Sequence, residues 1–165
     1  MTGGRCRTLR SERWKRPTGR WCDRSTEGIA TGQATFEGEP PDWEGWNSSH
    51  SVELRFVVVD VGRVVGWAAA SPISEQCCYA GVVEQSVYVS QARRGQGIGG
   101  WLLRFLVSAA EKTGNWTVQA GIFPENIASV SLHEACGFRL VGRRERLGQL
   151  QGVRKDVLLY ERPTP

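Results

Sequence analysis

One stretch of the chain has the residue types of an anion socket: Arg93-Arg94-Gly95-Gln96-Gly97-Ile98-Gly99-Gly100. Glycines let a backbone turn sharply and approach a ligand with no Cβ between them. A helix that opens at such a turn points unpaired N–H groups outward, at the positive end of its dipole. A strand, glycine turn and helix in that order can therefore seat a pyrophosphate, and Arg93 and Arg94 would add charge at its rim. Two well-known sockets do not fit. A Rossmann dinucleotide site needs an acid about 20 positions on, and the next strand here, Trp116–Ile122, carries none. A P-loop needs Lys-Ser/Thr after its glycines, which this stretch lacks. The plain alternative is a glycine-rich turn that binds nothing.

Two titratable residues flank this unit. Glu84 lies on the segment leading into the glycines, with Val82, Val83 and Val87 around it. A carboxylate held in an apolar setting keeps its proton more readily, which suits it to take one from an ammonium; otherwise it is a solvated strand glutamate. His133 follows Asn126 by seven residues, two helical turns, so both face the same way. Imidazole titrates near neutrality and can act as acid, base or orienting donor, or His133 is simply packed into the fold. Asn126 can cap the helix N-terminus and serve a site as well, and Tyr88 can equally be core.

The elements that must position these residues are legible in outline. Residues 1–24 have no periodicity, and no element is expected there. The texture changes at Thr26. Asp42 is placed to cap a short helix over Trp43–Ser48. Leu54–Val59 and Val64–Ala70 read as strands joined by the turn Asp60-Val61-Gly62. A strand over Val82–Val89 precedes the strongest helix, Arg94–Lys112, in which Ile98, Leu102, Phe105, Leu106 and Ala109 recur at helical spacing and Gly114 marks the end. Trp116–Ile122 reads as a buried strand and Pro124–Cys136 as a helix closed by Gly137. Strands over Phe138–Arg144 and Val153–Glu161 follow. Hairpins first and strand–helix alternation later predict an α/β fold with a mixed sheet.

At 165 residues, 40% of them apolar, the chain has the size of one domain. No apolar run approaches the roughly 20 residues of a membrane span, and the N-terminus has no secretory pattern, so the cytoplasm is expected. The net charge of +4 divides unevenly: eight basic and two acidic residues in 1–24, thirteen and fifteen in the rest. A body at −2 has no footprint for a phosphate backbone, which leaves nucleic-acid binding only to the leader. Five cysteines, Cys6, Cys22, Cys77, Cys78 and Cys136, have no metal-type spacing and read as reduced thiols. No metal is expected.

Several words of the sequence resemble the GNAT superfamily of N-acetyltransferases. Arg94-Gly95-Gln96-Gly97-Ile98-Gly99 is similar to its acetyl-CoA pyrophosphate motif. Glu84-Gln85-Ser86-Val87-Tyr88-Val89, Asn126-Ile127-Ala128-Ser129 and His133-Glu134-Ala135-Cys136-Gly137-Phe138 follow the family in order. Together with Glu27-Gly28-Ile29-Ala30-Thr31-Gly32, Ala34-Thr35-Phe36-Glu37 and Glu53-Leu54-Arg55-Phe56-Val57, they resemble the phosphinothricin acetyltransferase branch, over about residues 26–162. Residues 1–24 do not resemble the family, so its first strand and helix read as missing or replaced, with the acetyltransferase domain spanning 25–165. Val153-Arg154-Lys155-Asp156 also departs from relatives that carry Trp before the aspartate.

The resemblance implies acetyl transfer from acetyl-CoA to the primary amine of a small amino-acid-like molecule, with Glu84 as base and His133 assisting. It implies a coenzyme A site of Val87, Tyr88, Val89, Arg94, Gly95, Gln96, Gly97, Ile98, Gly99, Gly100, Asn126 and Ser129. The acceptor side would be Phe36, Glu84, Gln85 and Ser86, with Glu37 beside them. A substrate carboxylate would want an arginine, and Arg55, Arg144 and Arg154 stand as candidates. Trp43, Trp46 and Trp67 are expected in the core or an interface, and the assembly as a homodimer. The alternatives are a coenzyme-A-binding protein without turnover, and an acetyltransferase for another small amine.

Overall fold

The computed structural model describes residues 10–13, 35, 36, 39 and 42–164. Among these residues seven strands form one mixed sheet: β1 (Arg10–Arg13), β2 (Arg55–Asp60), β3 (Arg63–Pro72), β4 (Val82–Val89), β5 (Thr117–Ile122), β6 (Arg139–Leu150) and β7 (Val153–Pro163). Their order across the sheet is β1-β2-β3-β4-β5-β7-β6. β4 and β5 pair in parallel, while the other neighbours are antiparallel. Among the described residues the α-helices are α1 (Trp43–Ser49), α2 (Ile98–Lys112) and α3 (Ile127–Ala135). Two hairpins turn on paired residues with positive φ, Val61-Gly62 and Gln151-Gly152, the conformation that matches strand twist.

Side-chain alternation sorts the core into two layers. Phe56 and Val58 of β2 point toward α2, where Leu102, Leu103, Leu106 and Val107 are fully buried and α3 closes the layer. Val57 points the other way and packs with Trp46 of α1, Ala69 of β3 and the half-buried Trp43 and Trp67. These three tryptophans are core, as expected. Asp42 caps α1 by accepting a 2.7 Å hydrogen bond from Gly45 N.

Four expectations shift. β1 pairs with β2 from Arg10↔Val59 to Arg13↔Phe56, where composition predicts no element and the family's first strand reads as missing or replaced. The unpaired N–H and C=O row of β2 supplies the pairing that the four residues themselves do not encode. α2 starts at Ile98 rather than Arg94, because Gly95 (φ +72°) and Gly97 (φ +77°) are left-handed and cannot sit in a right-handed helix. α3 starts at Ile127, where Asn126 caps it. β6 runs to Leu150, six residues past Arg144 and across an irregularity in its register with β7.

Candidate functional site

The site grows from a fork in the sheet. β4 pairs with β3 from Val83 to Val89, but with β5 only at Val82, Val83 and Glu84. Beyond Glu84 the two parallel strands part, so the β5-facing backbone groups of residues 85–89 have no ladder partner in β5 and remain open to one. The chain then passes Ser90, a short 3₁₀ turn at Gln91–Arg93 and the two left-handed glycines, and enters α2. A cleft of about 400 Å³ opens here. Val87, Tyr88 and Val89 form its strand wall, Gly95 and Gly97–Gly100 its floor, and Asn126, Ala128, Ser129 and Leu132 of α3 the opposite wall.

The residues of this cleft divide by what each does. A Cβ on Gly95 or Gly97 would meet nothing within 4 Å, so their absence of side chain leaves space against the cleft. Gly97, as N-cap, has no side chain to cap the helix, so the first-turn N–H groups of α2 look for another acceptor. Gly99 has a packing reason: a Cβ there would stand 3.2 Å from Leu132 Cδ2 and 3.5 Å from Val89 Cγ2. Gly100 faces Arg104, whose guanidinium lies 3.2 Å from the same test position. Ile98 lines the cleft while being buried in the core. Gln96 is exposed and is not among the lining residues. Arg94 lines the cleft and donates from Nε to Val89 O at 3.3 Å. Arg93 is bound in an ion pair with the buried Asp60 of the first hairpin, which makes it more a strut than a free charge. Asn126 Oδ1 accepts from Ser129 N at 3.1 Å, so it caps α3 and lines the cleft together.

Glu84 stands at the fork itself, on the opposite face of the sheet from His133. Its neighbours Val83 and Gln85 are buried under α2 and α3, while Glu84 and Ser86 alternate to the other face and are exposed. The apolar setting expected from Val82, Val83 and Val87 is thus corrected: Val83 and Val87 point the other way. Gln119 Nε2 donates to Glu84 Oε2 at 2.7 Å. Gln85, read as an acceptor-side residue, turns beneath α3 instead. Phe36 packs edge-to-face on Phe123 at 4.8 Å; Glu37 lies outside the described residues.

His133 is buried at 2% exposure and is not part of the cleft wall. Its Nδ1 is 2.7 Å from Ser129 O, which can only accept, so Nδ1 carries a proton. Nε2 then has its lone pair facing Gln85 Nε2 at 2.6 Å and accepts from it. That orientation leaves Gln85 Oε1 buried without a partner. The arrangement fits an orienting histidine that is neutral at rest. Burial lowers its pKa below 6.5, opposed by the Ser129 backbone hydrogen bond. Burial also lowers that of His50, with Trp46 O opposing and Arg55 adding to the effect.

A histidine whose folded pKa lies below its unfolded value of 6.5 disfavours folding once acid protonates the unfolded chain. The stability is complete above pH 6.5 and is lost as pH falls below it. The melting temperature should therefore drop between pH 7.5 and 5 by several degrees, and His133→Gln should flatten that slope. A melting curve insensitive to pH across this range would mean neither histidine is buried neutral.

The arginine candidates separate clearly. Arg55 is 5% exposed, bound to Asn47 Oδ1 at 2.7 Å beneath α1. Arg154 lies three residues from Val157, so the alternation of β7 points them to opposite faces. Arg144 is in register with Val157. Val157 in turn touches the space beside Gly121, next to Glu84 Oε1. Arg55, in register with Ala69 and through it with Ser86, shares Glu84's face but is buried and held by Asn47, so Arg144 is the exposed candidate on that face. The signals that sequence reasoning missed, Gln119 and Gly121, come only from the cross-strand register.

No helix among the described residues is long and apolar enough to cross a membrane, and Cys77, Cys78 and Cys136 are free thiols. The model of the acetyltransferase (GNAT) family matches residues 14–138, beginning inside the leader. A phosphinothricin N-acetyltransferase from Streptomyces coelicolor is 35% identical over 137 residues, 78% of this chain and 80% of that one. An L-methionine sulfoximine/L-methionine sulfone acetyltransferase from Pseudomonas aeruginosa is 36% identical over 100 residues, 61% of this chain and 58% of its own length. Among solved structures, a GNAT superfamily phosphinothricin acetyltransferase from Sinorhizobium meliloti, in complex with AcCoA, superposes with a TM-score of 0.77. It is 30% identical, over 86% of this chain and 80% of that one.

Proposed function

Because the chain belongs to the acetyltransferase (GNAT) family and is an acetyl-CoA-dependent N-acetyltransferase, we propose that its acceptor is the primary amine of a small, amino-acid-like molecule. Acceptors of the phosphinothricin and methionine sulfoximine kind fit this class, as the names of the relatives suggest. One observation carries the reading: a single strand, β4, lines the coenzyme cleft with Val87–Val89 and bears Glu84 where it parts from β5.

The roles follow from the placement. The cleft suits coenzyme A, since the open space at Gly95 and Gly97 and the uncapped turn of α2 fit a pyrophosphate. The unladdered edge of β4 fits an extended amide arm in the manner of an added strand. When bound, acetyl-CoA supplies the activated acetyl group. Residues Val87–Val89 would hold the arm, and their amides would polarise the acetyl carbonyl. Asn126 and Ser129 would close the far wall. Glu84 would take a proton from the ammonium, leaving a neutral amine. His133 would hold Gln85 beneath β4. Ser86 and Phe36 would border the acceptor, and Arg144 would receive its carboxylate.

The test is a panel of amines, with free thiol followed as the product. Turnover of phosphinothricin, methionine sulfoximine or methionine sulfone, with little on polyamines or antibiotics, is expected. Arg144→Gln should raise KM for carboxylate-bearing acceptors about tenfold and leave decarboxylated analogues untouched. Silence across the panel with acetyl-CoA still bound would favour a coenzyme-A-binding protein without turnover. The reading also places the protein in the reducing cytoplasm, acting on small molecules rather than nucleic acid or membrane. A homodimer is proposed too, supported by exposed Leu140, Val141, Leu147 and Val153 on the β6–β7 hairpin; light scattering at the mass of one chain would overturn it.

A further inference from the structure

We infer that Gln119 is a positioning residue for the proposed base: it fixes Glu84 Oε2 and leaves Oε1 as the oxygen that receives the acceptor's proton. The inference rests on the reading of Glu84 as base and assigns the atom and the residue that aims it.

The geometry has three parts. Glu84 and Gln119 are the last partners of the parallel β4–β5 ladder before the fork. Their side chains share one face, and Gln119 Nε2 donates to Oε2 at 2.7 Å. The other oxygen, Oε1, faces the space beside Gly121, 3.9 Å from where a Cβ there would stand, with Val157 Cγ1 bordering the same space. Among the described residues no ion pair reaches Glu84, although it is exposed.

A carboxylate tied at neither oxygen swings about its last torsion and presents its lone pairs in all directions. One fixed oxygen ends that motion. The proton then moves in one direction: an N–H bond of the ammonium breaks, its electron pair stays on nitrogen, and the proton bonds to Oε1.

The charged groups near Glu84 do not supply this effect. β3 faces it with Ser71. On the β5 side the next strand offers Glu161, in register with Gln119 and tied to Arg139. Arg144 lies beyond Val157 in the sheet. Arg55 lies across Ala69 from Ser86 and is taken by Asn47. The acids of α1, Asp42 and Glu44, and its His50 belong to the helix packed over β2 and β3.

The experiment uses the full chain with Gln119→Met, which keeps length and loses the donor, and Gln119→Leu as a second variant. Thermal melts select the variant that folds as wild type. On the best acceptor of the panel, kcat should fall about tenfold with the acetyl-CoA dissociation constant unchanged. KM for the acceptor should change little, so the loss falls on kcat. A readout free of turnover accompanies it. In ¹⁵N-edited spectra, the Gln119 side-chain amide should follow a carboxylate titration in wild type and lose it in Glu84→Gln. A wild-type kcat in both Gln119 variants, or an amide indifferent to Glu84→Gln, overturns the inference while Glu84 stays the base. A Glu84→Gln enzyme with full kcat removes the base and the inference with it.

Discussion

Glu84→Gln should lower kcat by about 10²–10⁴-fold, the usual loss for a general base, while acetyl-CoA binds as in wild type. The substitution keeps size and can still accept from Gln119, so the fork between β4 and β5 should persist. The side chain is exposed and no core contact depends on its charge, so melting temperature should change little. What the amide cannot do is hold a proton taken from an ammonium. At high pH the acceptor amine is already neutral, so the variant should recover part of its rate as pH rises toward the amine's own pKa. The wild type should gain little over the same range. Isothermal titration with acetyl-CoA and pH–rate profiles on one acceptor check both halves. Unchanged kcat, or a loss that no pH relieves and that tracks a fall in stability, would make Glu84 a structural residue.

The sequence disclosed what is encoded locally, and left hidden what depends on register. The hairpin at Val61-Gly62 and the strand Val82–Val89 were legible because turn residues and β-branched runs act on their own neighbours. The glycine loop was legible as a cradle, but Gly99 was not separable from Gly97. Only the packing of α2 against Leu132 and Val89 tells a crowded glycine from an open one. Glu84 was found by motif, yet its surroundings were misread. Valines adjacent in sequence alternate across the sheet, and two of the three nearest ones serve the opposite face. Gln119 lies 35 positions away, and no local pattern marks a residue that matters because it is opposite another. Arg144 emerged from three the sequence could not rank, since pairing sets the face that excludes Arg154 and burial beneath α1 removes Arg55. β1 failed as a local reading for the same reason, its partner being the edge of β2.

Gly97→Val tests the cradle separately from the chemistry, and acetyl-CoA affinity should fall at least ~100-fold, about 2.7 kcal/mol. Two effects combine. At φ +77° a β-branched residue is strained, by roughly 1–3 kcal/mol, so the loop will relax away from its present path. The new side chain also projects where no protein atom lies within 4 Å, into the space by which a pyrophosphate would reach the first-turn N–H groups of α2. The strain and the obstruction must be told apart, and Gly114→Val does so. Gly114 has φ +82°, also meets nothing within 4 Å, and follows the far end of α2, away from the cleft. Both variants should lose a similar few degrees of melting temperature by calorimetry. Only Gly97→Val should lose acetyl-CoA, while Gly114→Val should titrate as wild type. Equal losses of affinity in the two would trace the effect to general destabilisation. Full binding by Gly97→Val would move the anion site away from this loop, and with it the coenzyme end of the reaction.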